Sequence, residues 1–277
     1  ASASKWISAM VVFDVIRRGQ LSLDSTTGQV LGWTGPNADI NLRQLLSFTS
    51  GLDADAACTR NPLTTLAACV NTISGSAAVA DAGTRYDYGS THLHVAARMA
   101  EVATGRTWDQ LFDEVLRQPL QLSSSVRYYT FPMQSTGMLN PLIAGGLRVS
   151  VDEYAKLLGL EYHRGLLGAV TVGTTALFDA QAIEPYPSVV IGNTPVGALG
   201  YTYRYGLSAW LECATPATGC TRLSSPGAFG FTPWVDRQNG YYAILAMEVG
   251  GLTGGVVRFS VDLEQAIEPL IVDALTP

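Results

Sequence analysis

Residues 6–16 read Trp-Ile-Ser-Ala-Met-Val-Val-Phe-Asp-Val-Ile, apolar on almost every side of a helix. Such a helix does not lie on a surface; the rest of the chain has to enclose it. The chain has the material to do so, with 277 residues, 47% of them hydrophobic and only 14% charged. Arg17, Arg18 and Gly19 supply an ordinary helix stop. The residues just before the run, Ala1-Ser-Ala-Ser-Lys5, set Ser2 and Lys5 three apart. On a helix that spacing puts both side chains on one face, one turn apart.

This pair carries the first chemical expectation. A serine hydroxyl becomes a nucleophile when a base takes its proton, and a lysine can be that base once its charge is suppressed. Lys5 heads a buried helix, so its pKa should fall. It is one of two lysines, with Lys156, against fifteen arginines. Ser2 would stand at the helix N-terminus, where free N–H groups and the dipole favour an oxyanion. Ser-x-x-Lys alone also recurs by chance, as a helix cap and a solvated lysine.

Composition narrows the classes. A net charge of −6 and a pI near 5.0 argue against nucleic acid or an anionic membrane surface as partner. No stretch is apolar throughout over the length of a membrane span. No signal peptide is visible, and the abrupt start is what removal of one would leave. The cysteines fall in two local pairs, Cys58 with Cys69 and Cys213 with Cys220. Two short-loop disulfides would place the protein outside the cytosol; the competing reading is four buried thiols. His92, His94 and His163 make no zinc pattern, and no metal or cofactor is expected. There is no Gly-x-Ser-x-Gly elbow, Walker loop, dinucleotide fingerprint or His-Glu-x-x-His. His92 and His94 lie two apart on an expected helix, which predicts one in the core and one in solvent.

Further along, helices are expected over 42–48, 91–104, 108–116 and 151–160, with loop over 123–147. The stretch 165–205 resists assignment. Strand-like runs follow at 205–211, 228–235 and 241–249, with a hairpin at 236–240. A last helix is expected from Asp262, with Gln265 placed for a capping box. The fold class is therefore α+β: an antiparallel sheet with the terminal helices packed on it and a helical lobe inserted. The expectation is a single domain over 1–277, with a sheet lobe (1–35 and 200–277), a mainly helical lobe (36–199) and the active site in the cleft between them.

Several blocks in one order then carry a resemblance. They are Ser2-Ala-Ser-Lys5, residues 18–24, residues 41–52, Tyr88-Gly-Ser90 through Gly105, Gln118-Pro-Leu120, residues 140–154, and Ser225-Pro-Gly-Ala-Phe-Gly230. Together they resemble the serine β-lactamase-like superfamily over nearly the whole chain. The branch is that of class C β-lactamases, D-alanyl-D-alanine carboxypeptidases, β-lactamase-like esterases and nylon-oligomer hydrolases. The resemblance implies that Tyr88, rather than nearby Tyr86, shares the serine proton with Lys5; an adjacent ammonium would lower a phenol's pKa. An ordinary half-buried tyrosine is the bland alternative. It implies that Ser225, Gly227 and Ala228 run along an edge strand lining the cleft, with the N–H groups of Ser2 and Ala228 as oxyanion hole. Ser-Pro-Gly as a simple turn is the alternative there.

Three departures shape the functional expectation. Ser90 stands where the family has asparagine, and Ser225 where it has lysine or histidine; with Gly227 they are the substrate-binding residues that the resemblance implies. Loss of that cation argues for an ester or amide substrate without a carboxylate at that place. The family's strands and helix before the nucleophile are missing from this chain, so either it is a fragment or a separate N-terminal piece completes the sheet. The reading is a secreted or periplasmic serine hydrolase that forms an acyl-enzyme on Ser2. Its substrate is a small or oligomeric ester, with an amide second. A D-alanyl-D-alanine carboxypeptidase or weak β-lactamase is the alternative enzyme. A catalytically silent binding protein on the same scaffold is the alternative of another class.

Overall fold

The computed structural model describes residues 1–130, 139–249 and 254–276. The expected helix at the start runs Ser4–Arg17, and every residue from Ser4 to Val15 is buried. It ends as the sequence predicts, with Gly19 in the left-handed region at φ 75°. Asp14, buried inside the helix, is held by both Arg17 (2.7 Å) and Arg18 (2.6 Å). Buried charge is tolerated there because it is paired and hydrogen-bonded.

The helix packs against Thr91–Thr104. Polar anchors fix its first turns. Ser8 Oγ donates to Ile143 O at 2.7 Å and lies 2.8 Å from Tyr128 Oη. Tyr154 Oη donates to Ala3 O at 2.9 Å. Leu147 N donates to Ser4 Oγ at 3.1 Å. Tyr154 belongs to the helix Val151–Tyr162, which packs on the last two strands of the sheet.

That sheet is a five-stranded antiparallel meander in chain order: Arg204–Tyr205, Trp210–Leu211, Arg222–Ser224, Thr232–Asp236 and Tyr241–Leu245. The expected strand over 205–211 is in fact a tight hairpin. Ser208 sits at φ 62°, and its N–H is drawn to Leu46 O at 2.8 Å. A tertiary hydrogen bond overrides strand propensity here. Residues 228–231, expected as strand, form a turn in which Gly230 N donates to Gly227 O at 2.9 Å. The last helix runs Gly254–Leu275, beginning well before Asp262. Gln265 therefore caps nothing and donates to Glu212 Oε2 at 3.1 Å.

Between the main elements, the unassigned stretch holds the helix Thr175–Gln181 and a ladder of Leu166–Leu167 with Val170–Thr171. The expected loop at 123–147 carries one short ladder, Arg127–Tyr128 with Leu147–Arg148; its residues 131–138 lie outside the described residues. Among the described residues no helix is long and apolar enough to cross a membrane.

The cysteine expectation resolves in favour of disulfides, Cys58–Cys69 and Cys213–Cys220, with Cα separations of 5.3 and 5.7 Å. Each closes a short loop, which by chain-entropy arguments stabilises by roughly 2–3 kcal/mol. Replacing Cys58 and Cys69 together by serine should lower the melting temperature by roughly 5–10 °C. Thermal unfolding followed by circular dichroism measures this; an unchanged midpoint would mean that the bridge contributes nothing.

Candidate active site

The first turn of the chain builds the site. Lys5 N donates to Ser2 O at 2.9 Å and Ser4 N to Ala1 O at 3.0 Å. These are i-to-i+3 bonds, the 3₁₀ geometry in which positions three apart eclipse. Lys5 Nζ consequently reaches Ser2 Oγ at 2.9 Å. Its second acceptor is Ala144 O at 3.0 Å. Two residues on, Gly146 lets the Tyr129 backbone approach closely: a Cβ there would stand 2.1 Å from Tyr129 O. The ammonium group also lies 4.6 Å from the centre of the Tyr88 ring. Burial pulls the Lys5 pKa down from 10.5 to about 7, against the attraction of Asp55 and with help from Arg60.

Tyr88 is placed by its backbone, which exchanges two hydrogen bonds with Asn193 (2.9 and 2.8 Å). Its ring stacks on Trp210 at 5.2 Å and meets Phe48 and Tyr205 edge-on at 5.4 and 5.8 Å. Phe48 holds a φ of 59°, a strained conformation for a bulky residue that the surrounding packing must impose. The expectation that the Lys5 ammonium lowers the Tyr88 pKa is not met. Burial pushes the phenol well above its ordinary value, and hydrogen bonding to Ser2 and Trp210 only partly offsets this. Burial in this aromatic layer dominates, so Tyr88 is a neutral phenol at rest and the group poised near neutrality is Lys5.

The third expected block arrives at the same place by another route. Ser225 lies just beyond Arg222–Ser224, the middle strand of the five, rather than on an edge strand. Ser225 Oγ donates to Ser2 O at 3.2 Å. Gly227 is packed against the first residues: a Cβ on it would stand 3.3 Å from Ala1 Cβ and 3.5 Å from Ser2 N. Ala228 follows in the turn. Ser90 is buried, its N–H bonded to Ala54 O (2.8 Å) and Asp55 Oδ1 (3.1 Å), and it makes no hydrogen bond to Ser2, Lys5 or Tyr88.

Both histidines of the helix Thr91–Thr104 are fully buried, contrary to the expectation of one in solvent. That helix is enclosed on more than one side, by the first helix and by Leu42–Leu46 and Leu66–Ser74. Burial presses both imidazoles down to about 4, so they are neutral. His92 spans Ser50 Oγ and Asp87 O at 2.8 Å each and stacks on Phe48. It stiffens the wall behind Tyr88. Sequence reasoning missed Trp210, Ala144, Asp55 and Arg60. Only Ala144 sat in a block already singled out; the others reach the site through tertiary contacts with no local signal. No group of three metal-ligating side chains occurs among the described residues.

A sequence model of the β-lactamase family matches residues 1–258. The chain belongs to the β-lactamase family. A protein from Bacteroides dorei assigned to the β-lactamases is 30% identical, with a TM-score of 0.79 over 95% of this chain and 84% of its own. A penicillin-binding-protein homologue from Caulobacter crescentus has a TM-score of 0.68 at 16% identity, over 96% of this chain and 82% of its own. EstCE1, a hydrolase with promiscuous acyltransferase activity, gives 0.68 at 18% identity, over 94% and 83%. At such identities the last two show the β-lactamase fold alone. No curated protein matches. As a member of the β-lactamase family the chain has the α+β fold expected of it, with the Ser2, Lys5 and Tyr88 side chains drawn together at the foot of its first helix.

Proposed function

We propose that this β-lactamase family member is a serine hydrolase that forms an acyl-enzyme on Ser2, acting as a carboxylesterase with amides as secondary substrates. One observation carries the reading: Lys5 Nζ lies 2.9 Å from Ser2 Oγ, in surroundings that bring its pKa to about 7. A neutral Lys5 takes the Ser2 proton as Oγ attacks the acyl carbon. The Ser2 and Ala228 N–H groups receive the oxyanion. The Tyr88 phenol passes a proton to the leaving oxygen and is reprotonated from Lys5. Water, activated by the same lysine, then releases the acid and restores Ser2. Gly227 keeps the segment that follows Arg222–Ser224 close to the nucleophile, and Ser90 supports the turn that carries Tyr88. The two disulfides support a secreted or periplasmic location.

The neutral third motif supports the choice of ester. Ser225 offers a hydroxyl already directed at Ser2 O, about half as strong toward a carboxylate as a charged donor. Arg222 points away and is engaged by Glu212, Glu264 and Glu268. Lys156 donates to Leu120 O. Short-chain p-nitrophenyl esters should therefore be hydrolysed with a kcat/KM at least about tenfold above that for nitrocefin or a D-alanyl-D-alanine peptide. Steady-state kinetics with the three substrates decides it. A carboxylate substrate equal to the ester would overturn the ester reading and favour the peptidase or β-lactamase alternative.

A further inference from the structure

The turn that carries Tyr88 is tied down on both sides of it. Upstream, Asp87 N donates to Phe48 O at 3.0 Å. Downstream, Ser90 N and Thr91 N donate to Ala54 O at 2.8 and 3.0 Å. Between these ties, the N–H and C=O of Tyr88 itself are both met by one distant residue. Tyr88 N donates to Asn193 O at 2.9 Å, and Asn193 Nδ2 donates back to Tyr88 O at 2.8 Å. Asn193 is held in turn. Its N–H donates to Asp87 Oδ1 at 2.8 Å. Arg85 grips the same carboxylate, with Nε 2.6 Å from Oδ2 and Nη2 3.3 Å from Oδ1. Val190–Ile191 runs parallel to Arg85–Tyr86, and Gly192 N donates to Tyr86 O at 2.8 Å. Gly192 permits this approach: a Cβ there would stand 2.1 Å from the Asp87 carboxylate that Arg85 holds.

We infer that Asn193 is a positioning residue for Tyr88, fixing how far the phenol reaches toward Ser2 and the leaving group. The inference rests on the hydrolase reading, in which Tyr88 passes a proton to the leaving oxygen. The aromatic layer alone does not fix that reach. Trp210 stacks on the Tyr88 ring at 5.2 Å, and offset stacking constrains the plane of a ring more tightly than its place within that plane. The Tyr88 backbone sets that place, and its paired bonds with Asn193 set the backbone. The side chain at 193 has to be a donor. Asn193 Nδ2 faces a carbonyl oxygen, and an aspartate would turn a charged acceptor toward it. Proton transfer tolerates little misplacement, since a shift of about 1 Å can cost about a hundredfold. Asn193 is exposed, so replacing it leaves the core packing alone.

The test is kcat/KM of Asn193→Asp with phenyl acetate and p-nitrophenyl acetate, the fold being checked by circular dichroism. The two esters share an acyl group. p-Nitrophenolate departs readily without a proton, whereas phenolate gains more from receiving one. The loss should be roughly tenfold or more with phenyl acetate and at least about threefold smaller with p-nitrophenyl acetate. In a Tyr88→Phe background there is no phenolic proton to place, and the same substitution should change kcat/KM by less than about twofold. A purely structural loosening would lower both esters alike and would persist without the Tyr88 hydroxyl. Equal losses for the two esters, or an undiminished loss in the Tyr88→Phe background, would overturn the inference. If Asn193→Asp does not fold, Asn193→Ala, which removes the donor without adding charge, is judged by the same criteria. A wild type that takes a fluorophosphonate on Ser2 while the Asn193 variants keep full activity removes this inference alone. A folded wild type that takes no label removes the hydrolase reading and this inference with it.

Discussion

Ser2→Ala should lose ester turnover by about four orders of magnitude or more while leaving the fold unchanged. Removing the nucleophile removes the covalent route, and only the oxyanion donors and substrate binding remain to give a residual rate. The fold should survive because the structural contacts of residue 2 are made by its backbone. Its carbonyl accepts from Lys5 N at 2.9 Å and from Ser225 Oγ at 3.2 Å, and alanine keeps that carbonyl. The Oγ contacts to Lys5 and Tyr88 are lost, but Lys5 retains Ala144 O at 3.0 Å and Tyr88 stays held by its backbone and by Trp210. The checks are kcat with a p-nitrophenyl ester and the thermal midpoint. Wild-type turnover in the folded variant would remove Ser2 from the mechanism.

Lys5→Arg should lose about 10²- to 10⁴-fold in kcat/KM, the usual worth of a positioned general base. Arginine keeps a positive charge and hydrogen-bond donors but is not deprotonated in proteins, so it cannot take the serine proton. The wild type should show the complement of this loss. Lys5 is lowered to about 7; below that pH it is an ammonium and inactive as a base, and above it the free amine works. The log of kcat/KM should therefore rise through an inflection near 7 and level off. The same shift has a sign for stability. The folded pKa lies below the unfolded 10.5, so burying the ammonium costs stability below about pH 7, and that cost fades as pH rises toward 10.5. Lys5→Arg activity within tenfold of wild type, or a profile flat across about pH 6 to 8, would contradict the base assignment.

What the sequence disclosed, it disclosed through local periodicity. The enclosed first helix follows from an apolar run with no polar face. The Ser2–Lys5 contact follows from a spacing of three, which an α-helical or a 3₁₀ turn would both satisfy. Tyr88 was implied by the family resemblance, in register with the helix that ends at Gly105. The failures are tertiary. Ser208 breaks an apparent strand because Leu46 O attracts its N–H. Both His92 and His94 are buried, where one was expected in solvent, because neighbouring helices cover more than one face of their helix. Trp210 backs Tyr88 from more than a hundred residues away, with no motif around it. The Tyr88 pKa was misjudged for a related reason: the adjacent ammonium could be foreseen, the burying layer of Phe48, Tyr205 and Trp210 could not.

The central claim is that Ser2 is a nucleophile activated by Lys5. The most direct measurement is covalent labelling with a fluorophosphonate at neutral pH, read by intact mass and peptide mapping. The account predicts one adduct per chain, located on Ser2, at a rate that falls at least about a hundredfold in Lys5→Arg. An adduct on another residue, or a folded wild-type protein that takes no label, would contradict it.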